Sequence, residues 1–253
     1  IPLIELMLAY VSWRETLIVL GLLNFLLCPL YYRFLPSDSG AREPALANPN
    51  AESGAKTERH SVAWAFGQPV FWLLLLGFSL HMTAISAFNF HLYPMLLDRE
   101  FSAGQVALLI AFVGPAQVGG RLLLKFLRNR PVLIFWTALV FPVVYALMRV
   151  LPSEVLLLAP VLVLFGAVNG MMTILRALAI PAFLTNKSYG EINGALNVPV
   201  TLVQAVAPAL AAAVWQAQQS YSMVFVGLTV ISACVVLFLA TVIAIHKKQE
   251  VAA

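Results

Sequence analysis

Between Glu191 and Lys247 the chain reads INGALNVPVTLVQAVAPALAAAVWQAQQSYSMVFVGLTVISACVVLFLATVIAIH, 55 residues without an Asp, Glu, Lys or Arg. A helix needs about 20 apolar residues to cross the hydrocarbon core of a bilayer, and a membrane β-strand about 10. This stretch therefore has room for two helical spans. Five shorter gaps of the same kind precede it: Glu15 to Arg33 (17 residues), Arg59 to Asp98 (38), Glu100 to Arg121 (20), Arg130 to Arg149 (18) and Glu154 to Arg176 (21). The whole chain agrees, with 61% hydrophobic and 10% charged residues among 253 and a mean hydropathy of +0.90. A soluble domain carries about 25% charged residues, and no soluble core of this size hides so much apolar surface. A secreted or cytosolic globular enzyme is excluded; the pattern is that of an all-α, polytopic membrane protein.

Seven complete spans follow, at about 16–32, 69–96, 102–124, 131–151, 154–178, 192–215 and 221–246. Ile1 to Tyr10 reads as the end of a helix that begins earlier, so the chain is expected to be the C-terminal part of a longer protein. No basic segment followed by a short apolar one marks a signal peptide. Residues 35–68 change character, with seven charges among Pro, Ser, Gly, Ala and Asn. That composition cannot bury enough apolar surface to order itself and reads as a loop between two bundles, with Val62 to Phe66 suited to the membrane interface. The expected organisation is thus 1–34 as the end of a first bundle, 35–68 as a cytoplasmic loop, 69–246 as a six-helix bundle and 247–253 as a tail. The short connections between the last six spans predict successive helices as antiparallel neighbours. With the long loop inside, twelve Lys and Arg fall on the cytoplasmic side and only Arg14, Arg99 and Arg149 outside, which fits the positive-inside rule. The net charge of +4 then reports topology, and no nucleic-acid partner is needed. Cys28 and Cys234 each sit in an apolar run and read as small buried hydrophobes.

Helix breakers recur inside the spans, at Pro29, Pro115, Pro142, Pro160, Pro199 and Pro208. In a membrane such breaks survive where neighbouring helices or a water-filled cavity satisfy the freed carbonyls. Small residues at four-residue spacing, Ala116/Gly120, Gly166/Gly170 and Ala205/Ala209/Ala213, permit close helix approach. Polar residues in mid-span are the candidates for a binding site. His81 lies near the middle of span 69–96, with Asn89 and His91 further out; at about 100° per residue, these two fall roughly 80° to either side of it. Two readings of His81 stand equally: a solute or proton contact, as intramembrane ionisable groups generally are, or a neutral imidazole satisfied by its neighbours. His91, near the interface, reads as structural. Gln117, Asn169 and Gln204 offer amides in three other spans, with Asn24 in the first; singly each reads as a helix–helix hydrogen bond, together as the polar lining of a cavity. No carboxylate lies deep in any complete span, and no zinc spacing, phosphate-cradling glycine loop or nucleophile–base pair appears. No cofactor, metal or enzymatic role is expected.

Several stretches resemble the major facilitator superfamily of transporters. Ser12-Trp13-Arg14-Glu15-Thr16-Leu17 is similar to the turn before the sixth helix, with Ser12 in place of glycine. Pro69-Val70-Phe71-Trp72-Leu73-Leu74 resembles the entry to the seventh helix in the monocarboxylate/oxalate-formate-like branch. His91-Leu92-Tyr93-Pro94 through Phe101-Ser102, and Gly114-Pro115-Ala116-Gln117-Val118-Gly119-Gly120-Arg121, resemble the next loop and the eighth helix of that branch. Asn169-Gly170 to Arg176 and Tyr189 to Gly194 are similar to its tenth helix and the turn beyond. The resemblance implies two six-helix bundles with solute held between them near the midplane, spans 69–246 being the second bundle and 16–32 the last helix of the first. Gly119-Gly120-Arg121 stands where the family places a glycine/Asp-Arg gating motif, but the aspartate is missing. An arginine common midway down the eighth helix of the branch is replaced by apolar Ala111, Phe112 and Val113, so this half does not support a carboxylate substrate.

The expectation is a secondary active transporter of a small solute in a plasma membrane, working by alternating access against a missing N-terminal bundle, with a coupling proton or ion allowed. His81, Asn89, Gln117 and Asn169 are the candidate solute contacts, and Arg121 and Arg176 act at the cytoplasmic ends in gating or lipid anchoring. Two other classes compete: a membrane enzyme with its catalytic residues upstream, and a non-transporting sensor or scaffold on the same fold.

Overall fold

The structure, a computed structural model, describes residues 4, 7, 8, 10–34, 61–127 and 132–252. The described residues are helical throughout apart from short turns, and seven helices are long and apolar enough to cross a membrane. Most of the expected partial helix at 1–10, the loop at 35–60 and the Arg128–Arg130 connection lie outside the described residues.

The chain divides into two units, Ile1–Glu58 and Arg59–Ala253. The described part of the first is dominated by α1 (Trp13–Phe34). Its start is written in Ser12-Trp13-Arg14-Glu15: the Ser12 hydroxyl accepts from the Glu15 amide at 3.4 Å, and the Glu15 carboxylate accepts from the Ser12 amide at 2.8 Å. This reciprocal capping box satisfies two amides that a helix N-terminus otherwise leaves free.

The second unit holds α2 (Val62–Phe66), α3 (Pro69–Leu97), α4 (Ala103–Ala111), α5 (Val113–Phe126), α6 (Leu133–Val150), α7 (Val155–Phe183), α8 (Tyr189–Gln218) and α9 (Ser222–Ala252). The short α2, read from sequence as part of the loop, packs on α3 and α8, and the Trp72 indole donates to the Phe66 carbonyl at 2.8 Å. Span 102–124 is two helices broken at Phe112. The cause is Pro115, which has no N–H for the Ala111 carbonyl and whose ring crowds it. Helices α7, α8 and α9 run several residues past the ends expected from the positions of charged and polar residues, because a helix ends where its backbone bonding ends and not where the hydrocarbon does.

Pairing departs from the sequence expectation. The main partners are α3 with α8 and α9, α5 with α7, and α6 with α7 and α9; among the described residues α5 and α6 make no contact despite following one another. A short connection fixes only helix ends, whereas the side-chain stripes choose the partner. For α5 and α7 those stripes are the small-residue pairs Ala116/Gly120 and Gly166/Gly170, which face each other. A Cβ on Gly120 would overlap the Ala167 carbonyl, one on Gly170 would overlap the Gln117 carbonyl, and one on Gly166 would sit 2.6 Å from the Val113 oxygen. Backbones therefore touch directly. The third stripe, Ala205/Ala209/Ala213, is exposed.

The α3–α8 contact shows how a proline is tolerated. Pro208 has no N–H for the Gln204 carbonyl four residues back, and the Ser86 hydroxyl of α3 donates to that oxygen at 2.9 Å. Ser86→Ala should therefore lower stability by about 1–2 kcal/mol, the cost of an unsatisfied buried carbonyl. In a Pro208→Ala background, where residue 208 regains its amide, the same change should cost about 0.5 kcal/mol or less. Thermal melting of the four proteins in detergent checks this, and equal costs in both backgrounds would show that Ser86 does not serve the proline break.

Candidate functional site

The polar residues of α3 divide between two environments. His81 is buried, with its ring edge-on to Phe141 of α6 at 4.8 Å between centroids. It thus faces the interior of the bundle. Asn89, two turns on, is exposed. His91 is half-buried, with both ring nitrogens engaged by neighbours. Its Nε2 donates to the Pro208 carbonyl at 3.0 Å, which leaves Nδ1 to accept from the Tyr221 hydroxyl at 3.3 Å. A carbonyl only accepts, so this partner sets the tautomer. Together with Ser86, His91 ties the C-terminal half of α3 to α8.

Gln117 and Asn169 are both half-buried at the close α5–α7 contact, where Gly170, next in the chain to Asn169, meets the Gln117 backbone. Asn169, Thr173 and Arg176 follow at spacings of four and three and share one face of α7. The Thr173 hydroxyl is turned back onto the Gly170 carbonyl at 2.7 Å. Arg176 is half-buried, two turns from Asn169 along α7. Gln117 and Asn169 thus lie on the two helices of one close backbone contact, whereas among the described residues no hydrogen bond or ring contact joins His81 to Arg176, or Asn89 to the other candidates. Arg121 is exposed in the last two turns of α5.

One polar feature was missed. On α8, Asn193, Asn197 and Thr201 recur every four residues: the Asn197 amide donates to the carbonyl and to the side-chain oxygen of Asn193, both at 2.9 Å, and the Thr201 hydroxyl donates to the Asn197 carbonyl at 2.9 Å. The signal was there as i, i+4 spacing, but it adjoins the polar turn before α8 and reads as part of it. Gln204 continues the same face, half-buried, its backbone oxygen engaged by Ser86. Among the described residues no group of three His, Cys, Asp or Glu side chains is arranged to hold a metal ion.

An all-helical bundle of membrane-length helices, broken by prolines and with amides on its half-buried faces, also has a family match. The family model of the Major Facilitator Superfamily matches residues 1–208. The chain belongs to the Major Facilitator Superfamily. No curated protein matches it. Membership makes this a multi-pass membrane protein of a superfamily whose transporters move small solutes across the bilayer, and it agrees with the seven membrane-length helices.

Proposed function

We propose that this Major Facilitator Superfamily protein is a secondary active transporter that moves a small solute by alternating access. In this reading α3–α9 form the second six-helix bundle, α1 is the last helix of the first, and solute binds between the two bundles. The observation that carries the proposal is the match to the superfamily over four-fifths of the chain. It is supported by amide side chains kept half-buried on α5, α7 and α8, which together supply the polar lining such a cavity needs. The twelve-to-three division of Lys and Arg favours a cytoplasmic long loop and C-terminus, and a plasma membrane is the proposed location. The likeness to the monocarboxylate/oxalate-formate branch rests on the short stretches quoted above, and the apolar Ala111–Val113 segment gives no cation for a carboxylate at that depth.

In the proposed cavity wall, Gln117 and Asn169 supply hydrogen bonds, Asn89 contributes from α3, and the Asn193–Thr201 ladder lies on the adjoining helix. Arg176 acts near the cytoplasmic end of α7, as Arg121 does on α5. His81 stands behind the wall, packed on Phe141.

A thermal-shift screen of a solute panel on the full-length protein tests this. A ligand at about one hundred times its Kd stabilises the native state by about 2.7 kcal/mol, which is roughly 5 °C or more for a protein of this size. One solute class is expected to give that shift in the parent and in His81→Phe, which keeps an aromatic ring on Phe141, and to lose it in Asn169→Leu. Loss of the shift in His81→Phe with retention in Asn169→Leu would move the site to His81. A parent protein that shifts with no solute, and shows no flux when reconstituted, would favour the sensor or scaffold class.

A further inference from the structure

Helices α6 and α9 leave a cavity of about 200 Å³ between them, lined by Ala146, Arg149, Val150, Val226, Thr229 and Val230. It opens on the surface of the bundle, where Val150 and Val230 are 68% and 56% exposed. Its walls are aliphatic apart from the Thr229 hydroxyl, which is turned back onto the Phe225 carbonyl at 2.8 Å. The one charged lining group is the Arg149 guanidinium, in the last turn of α6. That helix has 18 residues, about 27 Å at 1.5 Å per residue, close to the roughly 30 Å of hydrocarbon in a bilayer. Arg149 therefore stands at headgroup level, with an aliphatic groove running from it into the membrane.

The guanidinium is held and only partly used. Its Nε donates to the Ser222 hydroxyl at 3.1 Å, and among the described residues no acceptor meets its two terminal nitrogens. Ser222 opens α9, so the amides of Met223 and Val224 belong to a first turn that has no acceptor within the helix and carries partial positive charge. A second guanidinium lies alongside: Arg99 Nη2 donates to the Arg149 carbonyl at 3.2 Å, while its Nη1 is buried with no hydrogen-bond partner. Burial lowers the Arg99 pKa, and the neighbouring Asp98 offsets part of that. Arg149 and the first turn of α9 thus stand at one end of an apolar groove between two membrane spans, with Arg99 bonded to the Arg149 carbonyl beside them and Asp98 next to Arg99 in the chain.

We propose that this groove holds one glycerophospholipid, its phosphate diester on Arg149 and the first turn of α9 and an acyl chain between Ala146, Val226 and Val230. A guanidinium with both terminal nitrogens open binds phosphate oxygens bidentately, and aliphatic walls continuous with the bilayer suit a chain. A free phosphate would leave the groove empty, and an uncharged diacylglycerol would leave the guanidinium unmet. The proposal needs α6 and α9 to cross a bilayer; it does not rest on the transport reading, because lipid retention is measured with no solute present.

The test is native mass spectrometry of the full-length protein in detergent with added phosphatidylethanolamine, phosphatidylglycerol or diacylglycerol of the same chains. The parent is expected to retain one copy of either phospholipid and to hold diacylglycerol about tenfold more weakly, the equivalent of one charge-assisted hydrogen bond. Arg149→Gln should weaken phospholipid retention about tenfold by the same reasoning. Val226→Trp, which fills the groove, should weaken it comparably, and Lys248→Gln at the far end of α9 should leave it unchanged. Melting curves confirm that each variant is folded. Parent-like retention in Arg149→Gln, equal binding of diacylglycerol, or displacement by millimolar inorganic phosphate would each overturn the proposal.

Discussion

Replacing Gly170 with leucine should lower the thermal midpoint of the protein by roughly 10 °C. A Cβ at this position would overlap the backbone of Gln117, and one at Gly120 would overlap the backbone of Ala167. Overpacking against side chains costs about 1–3 kcal/mol, because side chains can rotate aside. Here the obstructing atoms are backbone atoms in a facing helix, so α5 and α7 must separate, and the cost should be at or above about 3 kcal/mol. For a protein of 150–250 residues each kcal/mol moves the midpoint by about 2–4 °C. The neighbouring Gly119 is the control, since its Cβ position has no atom within 4 Å. Gly119→Leu should change stability by about 0.5 kcal/mol or less. Equal losses at 119 and 170 would mean that glycine serves helix flexibility and not contact. In the proposed reading the effect reaches solute binding as well, because the Gly170 contact sets the spacing of the two helices that carry Gln117 and Asn169.

The contrast between these two glycines marks what the sequence made legible. The small-residue spacing was visible at Ala116/Gly120 and Gly166/Gly170, and these stripes do meet; but Ala205/Ala209/Ala213 has the same spacing and is exposed. A motif states that close approach is possible without naming the partner. The spans themselves were legible because dehydrating a charge in hydrocarbon is costly enough to leave long uncharged runs. Pairings such as Ser86 with the Gln204 carbonyl, 118 residues apart, were not, since nothing local distinguishes a serine that closes a proline gap from one that does not. The principle that neighbouring helices satisfy such gaps was available, whereas the donor was not. Among candidate site residues the limit was rotational. Depth along a helix can be counted, and His81 was correctly placed near the middle of its span. Which way it turns depends on Phe141, in another helix. The Asn193–Asn197–Thr201 ladder was missed for a different reason: polar residues one turn into a helix look like the loop they adjoin.

Phe165→Ala should be the most damaging single change in the core, costing about 3–5 kcal/mol and lowering the midpoint by roughly 10 °C or more. Phe165 of α7 is fully buried, with its ring 4.6 Å from Phe88 of α3, 6.1 Å from Phe141 of α6 and 6.4 Å from Tyr145 of α6. Its removal opens a cavity where three helices meet, and none of the three remaining aromatics can refill it without leaving another. Tyr145 supplies the opposite test. Its hydroxyl is buried and meets no hydrogen-bond partner among the described residues, so Tyr145→Phe should leave stability unchanged or raise it by up to about 1 kcal/mol. A loss of 2 kcal/mol or more would reveal an acceptor for that hydroxyl. The cluster has a place in the proposed mechanism too. Alternating access by rocking requires the bundle to move as one body, and α3, α6 and α7 are joined through these rings. Below its lowered midpoint, reconstituted Phe165→Ala protein should still bind solute with parent-like affinity, because none of the proposed contacts is in the cluster, but its flux should fall as the three helices lose their common reference. Parent-like flux in that variant would show that the clamp serves stability alone.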